Sequence, residues 1–298
     1  MVVTGNFDKL LAPGMRKFYG DEYAQIVEEF SKVFTMDTST RNYEEDQSLT
    51  GLGLVPEKPQ GRGVSYDTVY QGYTKRYTHT TYGLCFIVSR EMLEDDLYRK
   101  IRGMPRGLAR SVRHTREIIH ANHLNNAFTA AAAYYGADSK ELCATDHPLI
   151  GGGTFSNELD TAADLDITSY EQALIDIQEF VDDRGLQIAV KPKLLIIHRN
   201  NDWQAQYILK SEKLPDTAEN NYNPAKGSMP YMVMSWLTDA DAWFILTDCP
   251  SGLTSITRRS PEFTNDTVFD SENAKFKVTY RESSGWTDPR GIFGSPGA

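Results

Sequence analysis

The stretch SREMLEDDLYRKIRGMPRGLARSVRHTREIIHANHLNNAFTAAAAYY, residues 89–135, decides the fold. It opens on a serine and an acidic turn (Glu91, Glu94, Asp95, Asp96), passes through a basic run, and closes on Ala130 to Ala133 and two tyrosines. At 100° per residue, Leu97, Ile101, Met104, Leu108, Val112 and Ile119 fall on one side, and Arg99, Arg102, Arg106, Arg110 and Arg113 on the other, the pattern of an amphipathic helix. Ser89 is placed to cap it, and acid before base complements the helix dipole. Gly103, Pro105 and Gly107 divide it into a short helix and a long one, since proline restarts a helix best in its first turn.

The long helix is predicted over Arg106 to Tyr135, 30 residues or roughly 45 Å. On the same angular count Leu124, Phe128, Ala131 and Tyr135 land on the side that began basic. A helix packed on one core keeps one stripe, so this helix either meets different neighbours along its length or twists through a single core.

Outward from that helix, composition bounds the rest. The chain has 298 residues, enough for one large or two modest domains, and 40% hydrophobic against 24% charged residues mark an ordinary globular chain. No apolar run reaches the roughly 18 residues of a membrane span, and the first residues lack the pattern of a signal peptide. Cys85, Cys143 and Cys249 are scattered, which suggests neither a disulfide framework nor a metal-binding pair and fits folding in a reducing cytosol. A net charge of −10 argues against a dedicated nucleic-acid binder, although the local stripe from Arg99 to Arg113 escapes that argument.

Before the helix, residues 1–48 carry turn residues (Gly5, Pro13, Gly14), then Tyr23, Ile26, Val27, Phe30, Val33 and Phe34 at helical spacing in an acidic setting, an arm or edge helix. The glycine- and proline-rich stretch Leu49 to Gly63 precedes two β-prone runs, Val64 to Tyr70 and Tyr73 to Val88, with Gln71 and Gly72 between them, which reads as a long hairpin. Tyr66, Tyr70, Tyr73, Tyr77 and Tyr82 give that hairpin an aromatic surface that either finds a partner or folds back on its own domain.

After the helix, Gly136 to Thr161 reads as a flexible loop with Asp146, His147 and Pro148, its Gly151 to Gly153 lacking the strand and lysine pair of a phosphate loop. Thr168 and Glu171 form a capping-box pair for a helix that stops at Arg184 and Gly185, and Lys193 to His198 is a wholly apolar strand. Asp202 caps a helix bearing Trp203, Tyr207 and Ile208, and a polar loop follows from Leu214 to Met229. Strands are expected at Tyr231 to Trp236, Ala242 to Thr247 and Leu253 to Thr257. Ala274 to Arg281 alternates, with Phe276, Val278 and Tyr280 on the covered face, before a glycine-rich tail. The fold class is α+β.

Candidate chemistry is sparse. His114, His120 and His123 lack the spacing of a zinc-protease motif and point toward packing, and no serine or cysteine sits in a nucleophile signature. Tyr222, Trp236, Trp243 and Trp286 are expected in the core.

The order of acidic arm, projecting hairpin, spine-like helix, α+β domain and closing strand resembles the major capsid protein of tailed double-stranded DNA bacteriophages. Tyr82, Gly83, Leu84, Arg90, Glu91, Met92, Asp95 and Asp96, then Asp146, His147 and Pro148, then Trp236, Ala242, Trp243, Phe244 and the strand Lys275 to Tyr280, carry that resemblance, which spans most of the chain. It implies an N-terminal arm (1–48), an extended loop (49–88), a peripheral domain on the spine helix (89–165 and 258–298) and an axial domain (166–257).

It further implies a structural subunit, not an enzyme and without cofactor, that assembles with itself as pentamers and hexamers into an icosahedral head around packaged DNA. Scaffold, portal and decoration proteins are the expected partners, and no membrane is. The subunit would be made in the host bacterial cytoplasm and end in the virion; Met1 favours a scaffold encoded separately. Assembly contacts are expected at Tyr66, Tyr70, Tyr73, Tyr77, Arg106, Arg110 and Arg113, with the arginines meeting an acidic arm or the genome. The alternatives are a tail-tube or head-decoration protein, whose tube form would be mostly sheet, and a cytosolic enzyme with an unrecognised site.

Overall fold

The central helix of the chain, α2, runs Gly103–Asn125, 23 residues, after a 3-10 turn at Lys100–Arg102. The computed structural model describes residues 8–89, 91–92, 95, 100–213, 221–268, 270–271 and 273–298. Arg90, Glu94, Asp96, Leu97 and Arg99 from the reading above, with Gly5, Leu214 and the side chain of Arg102, lie outside them. Ser89 Oγ accepts the Met92 N–H at 3.3 Å, the cap bond expected of it. Pro105 falls in the first turn of α2, where its missing donor costs nothing.

The helix stops ten residues short of Tyr135. Asn126 Nδ2 donates to the Asn122 carbonyl at 2.8 Å, and Asn125 bridges to the Trp236 carbonyl and the Thr238 N–H, so side chains take over the terminal groups. The alanine run is then extended at Ala131, and the indole of Trp286 donates to the Tyr134 carbonyl at 3.0 Å. Gly136 packs its backbone so closely on the Trp286 ring that a Cβ there would lie 2.1 Å from it. Tertiary packing has overridden helix propensity.

The apolar face shifts along the helix toward the side that began basic, as the angular count predicts. A buried stripe runs Leu108, Val112, Arg116, His120, Leu124 at steps of four, drifting roughly 40° per step in a helix of 3.6 residues per turn. The drift carries α2 past different neighbours. Leu108, Ala109 and Val112 pack with Met15, Tyr19, Phe276 and Val278, whereas Ala121 and Leu124 pack with Phe30, Phe34, Leu237 and Phe244.

Ahead of it, α1 spans Asp8–Gln25 and lays Met15 and Tyr19 against α2. The helix expected from Tyr23 to Phe34 is therefore displaced toward the N-terminus, and Phe30, Val33 and Phe34 are buried from a 3-10 turn at Phe30–Lys32. Two strands follow, β1 (Thr35–Thr38) and β2 (Tyr43–Leu49), then β3 (Gln71–Thr78) and β4 (Thr80–Val88).

The hairpin is present with a different first arm. β3 pairs antiparallel with β2, and Val64 to Tyr70 is not a strand. Gly72 is not a turn residue but an interior strand position, where a Cβ would meet Ser48 Oγ at 2.2 Å and Ile150 Cδ1 at 2.4 Å.

Short strands β5 (His147–Pro148) and β6 (Thr154–Phe155) pair with each other in the segment read as a loop. Next come α3 (Ile167–Gln178), β7 (Pro192–Ile197), α4 (Asp202–Lys210), β8 (Tyr231–Val233), β9 (Trp243–Thr247), β10 (Leu253–Thr267), β11 (Ala274–Trp286) and β12 (Ile292–Ser295). The cap of α3 is Asp166 with Ser169 reciprocating, two residues before the pair expected, and α3 ends at Gln178 rather than near Arg184. Asn201, not Asp202, holds the cap position of α4 and makes no side-chain bond there. The strand at Tyr231 ends at Val233, and Leu253 and Ala274 begin strands far longer than expected, 15 and 13 residues.

Two four-stranded sheets result, ordered β1-β10-β11-β4 and β12-β9-β7-β8. β11 buries Phe276, Val278 and Tyr280 and leaves Lys275 and Lys277 in water, the alternation expected of it. β7 is covered on both faces: Leu195 and Ile197 face α3 and α4, while Leu194 and Ile196 face the far half of α2. That is why it reads as continuously apolar. The closing strand β12 leaves the first sheet's region and joins β9 in the second.

Candidate assembly surfaces

The long loop 50–70 bridges β2 and β3, closed at its base where the Thr50 N–H donates to the Tyr70 carbonyl at 3.0 Å and Tyr70 N–H to Thr50 Oγ1 at 2.8 Å. Its glycines and prolines forbid a packed element, so its apolar side chains stay in water: Leu54, Val55 and Tyr66 are 81%, 95% and 97% exposed. Arg184 ties it to its own subunit, its guanidinium donating to Asp67 at 2.7 Å and to the Thr68 carbonyl. That guanidinium, after the Gly53 and Thr68 N–H groups, holds the Asp67 carboxyl below the usual range.

Of the predicted residues on this hairpin, Tyr66 and Tyr70 are exposed and Tyr73 is half-buried. Tyr77 does not belong with them. It lies on the covered side of β3, 3% exposed, with its hydroxyl 2.7 Å from Thr287 Oγ1, and burial pushes its pKa well up. Tyr82 likewise stacks on Tyr280 with ring centres 5.1 Å apart. Tyr73 and Tyr77 share one face of β3, but cover deepens along the strand toward Tyr77, which the mere count of aromatics conceals.

The arginine stripe divides too. Arg106 is exposed, its guanidinium 5.4 Å from the Phe18 ring, and Arg110 reaches Glu22 on α1 at 2.6 Å. Arg113 is not a surface group: it is buried, pairs with Glu28, and donates to the Tyr23 carbonyl at 2.9 Å. Arg116, which pattern reading passed over, bonds Glu28 and Glu282 at 2.8 Å each. Glu117 completes the seat by accepting the Glu29 and Phe30 N–H groups at 2.8 and 3.2 Å, and its burial raises its pKa. The basic run therefore meets the acidic arm of its own chain. Carboxylates at Glu22 and Glu28 facing arginines one and two turns apart were the available signal.

His120 and His123 do pack, while His114 is exposed beside the Trp236 ring. His120 donates from Nδ1 to the Arg116 carbonyl at 2.7 Å and accepts from Ser255 Oγ at 2.7 Å, and His123 Nε2 lies 2.9 Å from Ser284 Oγ. His147 lies between Asp138 (2.6 Å) and Asn157 (3.1 Å), and Asn157 also gathers the carbonyls of Leu142, Pro289 and Ile292. Among the described residues, no three His, Cys, Asp or Glu side chains could together hold a metal ion, and no helix is long and apolar enough to cross a membrane. An open groove of about 1030 Å³ beside α3 is lined by Asp160, Asp164, Asp166, Asp176 and Glu179 without a histidine or cysteine. Trp243 and Trp286 are core and Trp236 partly so, but Tyr222, against expectation, is 74% exposed; Trp203 and Tyr207 on α4 are exposed as well.

An arm seated on a spine helix, a projecting hairpin and two sheets sharing that spine define the α+β fold of tailed-phage major capsid proteins. The sequence profile of the phage capsid protein family matches residues 72–294, and the chain belongs to that family. Its fold is similar to that of the procapsid of bacteriophage JBD30, at 17% identity over 98% of this chain and 76% of that one with a TM-score of 0.52. It is also similar to the virus-like particle of Pyrococcus furiosus (10% identity, 95% and 98% covered, TM-score 0.55) and to the capsid of cyanophage P-SCSP1u (10%, 91% and 88%, 0.58). No curated protein matches the sequence.

Proposed function

We propose that this capsid protein is a purely structural subunit that assembles with itself as pentamers and hexamers into an icosahedral shell around packaged double-stranded DNA. The observation that carries this reading is the family match over residues 72–294, which covers the spine helix and both sheets apart from β1 and the last residue of β12. In that reading residues 1–48 act as the arm and 49–88 as the extended loop. Residues 89–165 and 258–298 form the peripheral domain and 166–257 the axial domain.

Tyr66, Tyr70, Tyr73 and the exposed Arg106 contact neighbouring subunits, and Arg110 does so through the arm it holds. Exposed apolar loop residues favour this, because a surface of this kind is stable in water only when another surface covers it. The subunit is synthesised in the host bacterium's cytoplasm, and scaffold and portal proteins guide closure. Its formal charge of −10 suits a container that encloses DNA without gripping it.

Electron microscopy of the purified chain, alone and with a co-expressed scaffold, tests this. Rings of five or six subunits or closed shells are expected. A chain that stays monomeric under both conditions at high concentration would overturn the reading.

A further inference from the structure

The sheet β1-β10-β11-β4 ends on β4, nine residues that pair with β11 along their whole length, from Thr80 opposite Glu282 to Val88 opposite Ala274. Among the described residues no strand pairs with its other edge. Free edges are normally blunted by charge, proline or brevity. The other edges here obey that rule: β1 has four residues, β8 three, and β2 carries Glu44, Glu45 and Asp46. β4 is the exception, with the sequence TTYGLCFIV, uncharged and free of proline.

The apolar row on the inner side of β4 is also incompletely covered. Tyr82 stacks on Tyr280 and Phe86 on Phe276, both with ring centres 5.1 Å apart, but Leu84 between them is 51% exposed beside a fully buried Val278.

We propose that the free edge of β4 pairs antiparallel with the same strand of a second copy, about a two-fold axis at Leu84. The pattern is self-complementary about that residue. Leu84 meets Leu84, Tyr82 meets Phe86, and Thr80 meets Val88. This register pairs all nine residues, and any shift shortens it. Inner row faces inner row, whereas a slip by one residue would set the buried row of one strand against the wet row of the other. A two-fold contact requires a patch that complements itself, and an icosahedral shell contains two-fold axes. A partner of another kind would have no reason to match the strand's internal symmetry. The inference rests on the proposed role as a shell subunit.

The native chain carries its own probe. In this register Cys85 stands opposite Gly83 of the second copy, so the two Cys85 residues are diagonal neighbours roughly 7–8 Å apart on the wet face. Cys85 is exposed, while Cys143 is buried and Cys249 half-buried. Assembled shells treated with a bis-maleimide of about that span should give, on a denaturing gel, a covalent dimer of twice 33.6 kDa and nothing larger, and Cys85→Ser should abolish it. Intact shells without the dimer, or a ladder beyond it, would overturn the pairing and leave the capsid role standing. Absence of any shell would overturn the capsid role and the pairing with it. Leu84→Lys should raise the subunit concentration needed for assembly at least about tenfold, by placing like charges opposite each other, with the unfolding midpoint unchanged; unaltered assembly would count against the axis.

Discussion

His120 and His123 show how far burial moves a single group in this chain. Burial, partly opposed by the Arg116 carbonyl, pushes the pKa of His120 down to about 3, and burial with Lys75 nearby pushes that of His123 to about 4. In the unfolded chain both titrate near 6.5, so between about 6.5 and 4 the unfolded state binds the more protons. Their contribution to stability is complete above that range and is lost as pH falls through it, at up to about 1.4 kcal/mol per pH unit for each ring. Glu117 and Glu282, raised by burial, act in the opposite sense: protonation relieves them in acid. Urea midpoints of the isolated subunit should accordingly fall from pH 7 to pH 5. His123→Gln should lower stability at pH 7 yet remove roughly half of that slope; an unchanged slope would mean that other groups govern the acid response.

At the scale of elements, the loop 50–70 and the helix α2 divide the labour. α2 carries side chains of two clusters of packing, while the loop carries almost none, held by its base and by Arg184, whose surface pair with Asp67 contributes little. Replacing residues 51–69 by a two-residue Asn-Gly turn should therefore leave the unfolding free energy within about 1 kcal/mol, because loop closure costs change slowly with length. Assembly should be lost, as judged by electron microscopy. Normal shells from this variant would remove the loop from the assembly contacts.

This division was partly legible in the sequence. The amphipathic run of α2, the apolar β7 and the alternation of β11 are periodic, and period is what a sequence displays. The first arm of the hairpin was not: Tyr43–Leu49 reads as acidic arm, since its strand state depends on β3, a partner more than twenty residues away. The end of α2 was hidden for the same reason, set by Trp286 and Trp236 rather than by the alanines themselves. Among the candidate contacts, the exposure of Tyr66 and Tyr70 was readable from composition, whereas the burial of Tyr77 and Arg113 follows from how each element meets the core.

For the molecule as a whole, charge and apolar surface oppose each other in any assembly. Arg110, Arg113 and Arg116 of α2 are occupied within the chain by Glu22, Glu28 and Glu282, so the remaining surface carries the excess of a formal −10. Copies brought together repel over a range set by the Debye length, about 10 Å at 0.1 M salt and about 3 Å at 1 M. The surfaces left to attract, the loop with Leu54, Val55 and Tyr66 and the uncharged edge of β4, are insensitive to screening. Raising sodium chloride from 50 to 500 mM should then lower the subunit concentration at which light scattering reports assembly, by several-fold. A rise instead would mean that ion pairs between copies outweigh their repulsion, and the basic groups left free on β11, Lys275 and Lys277, would be the first to substitute.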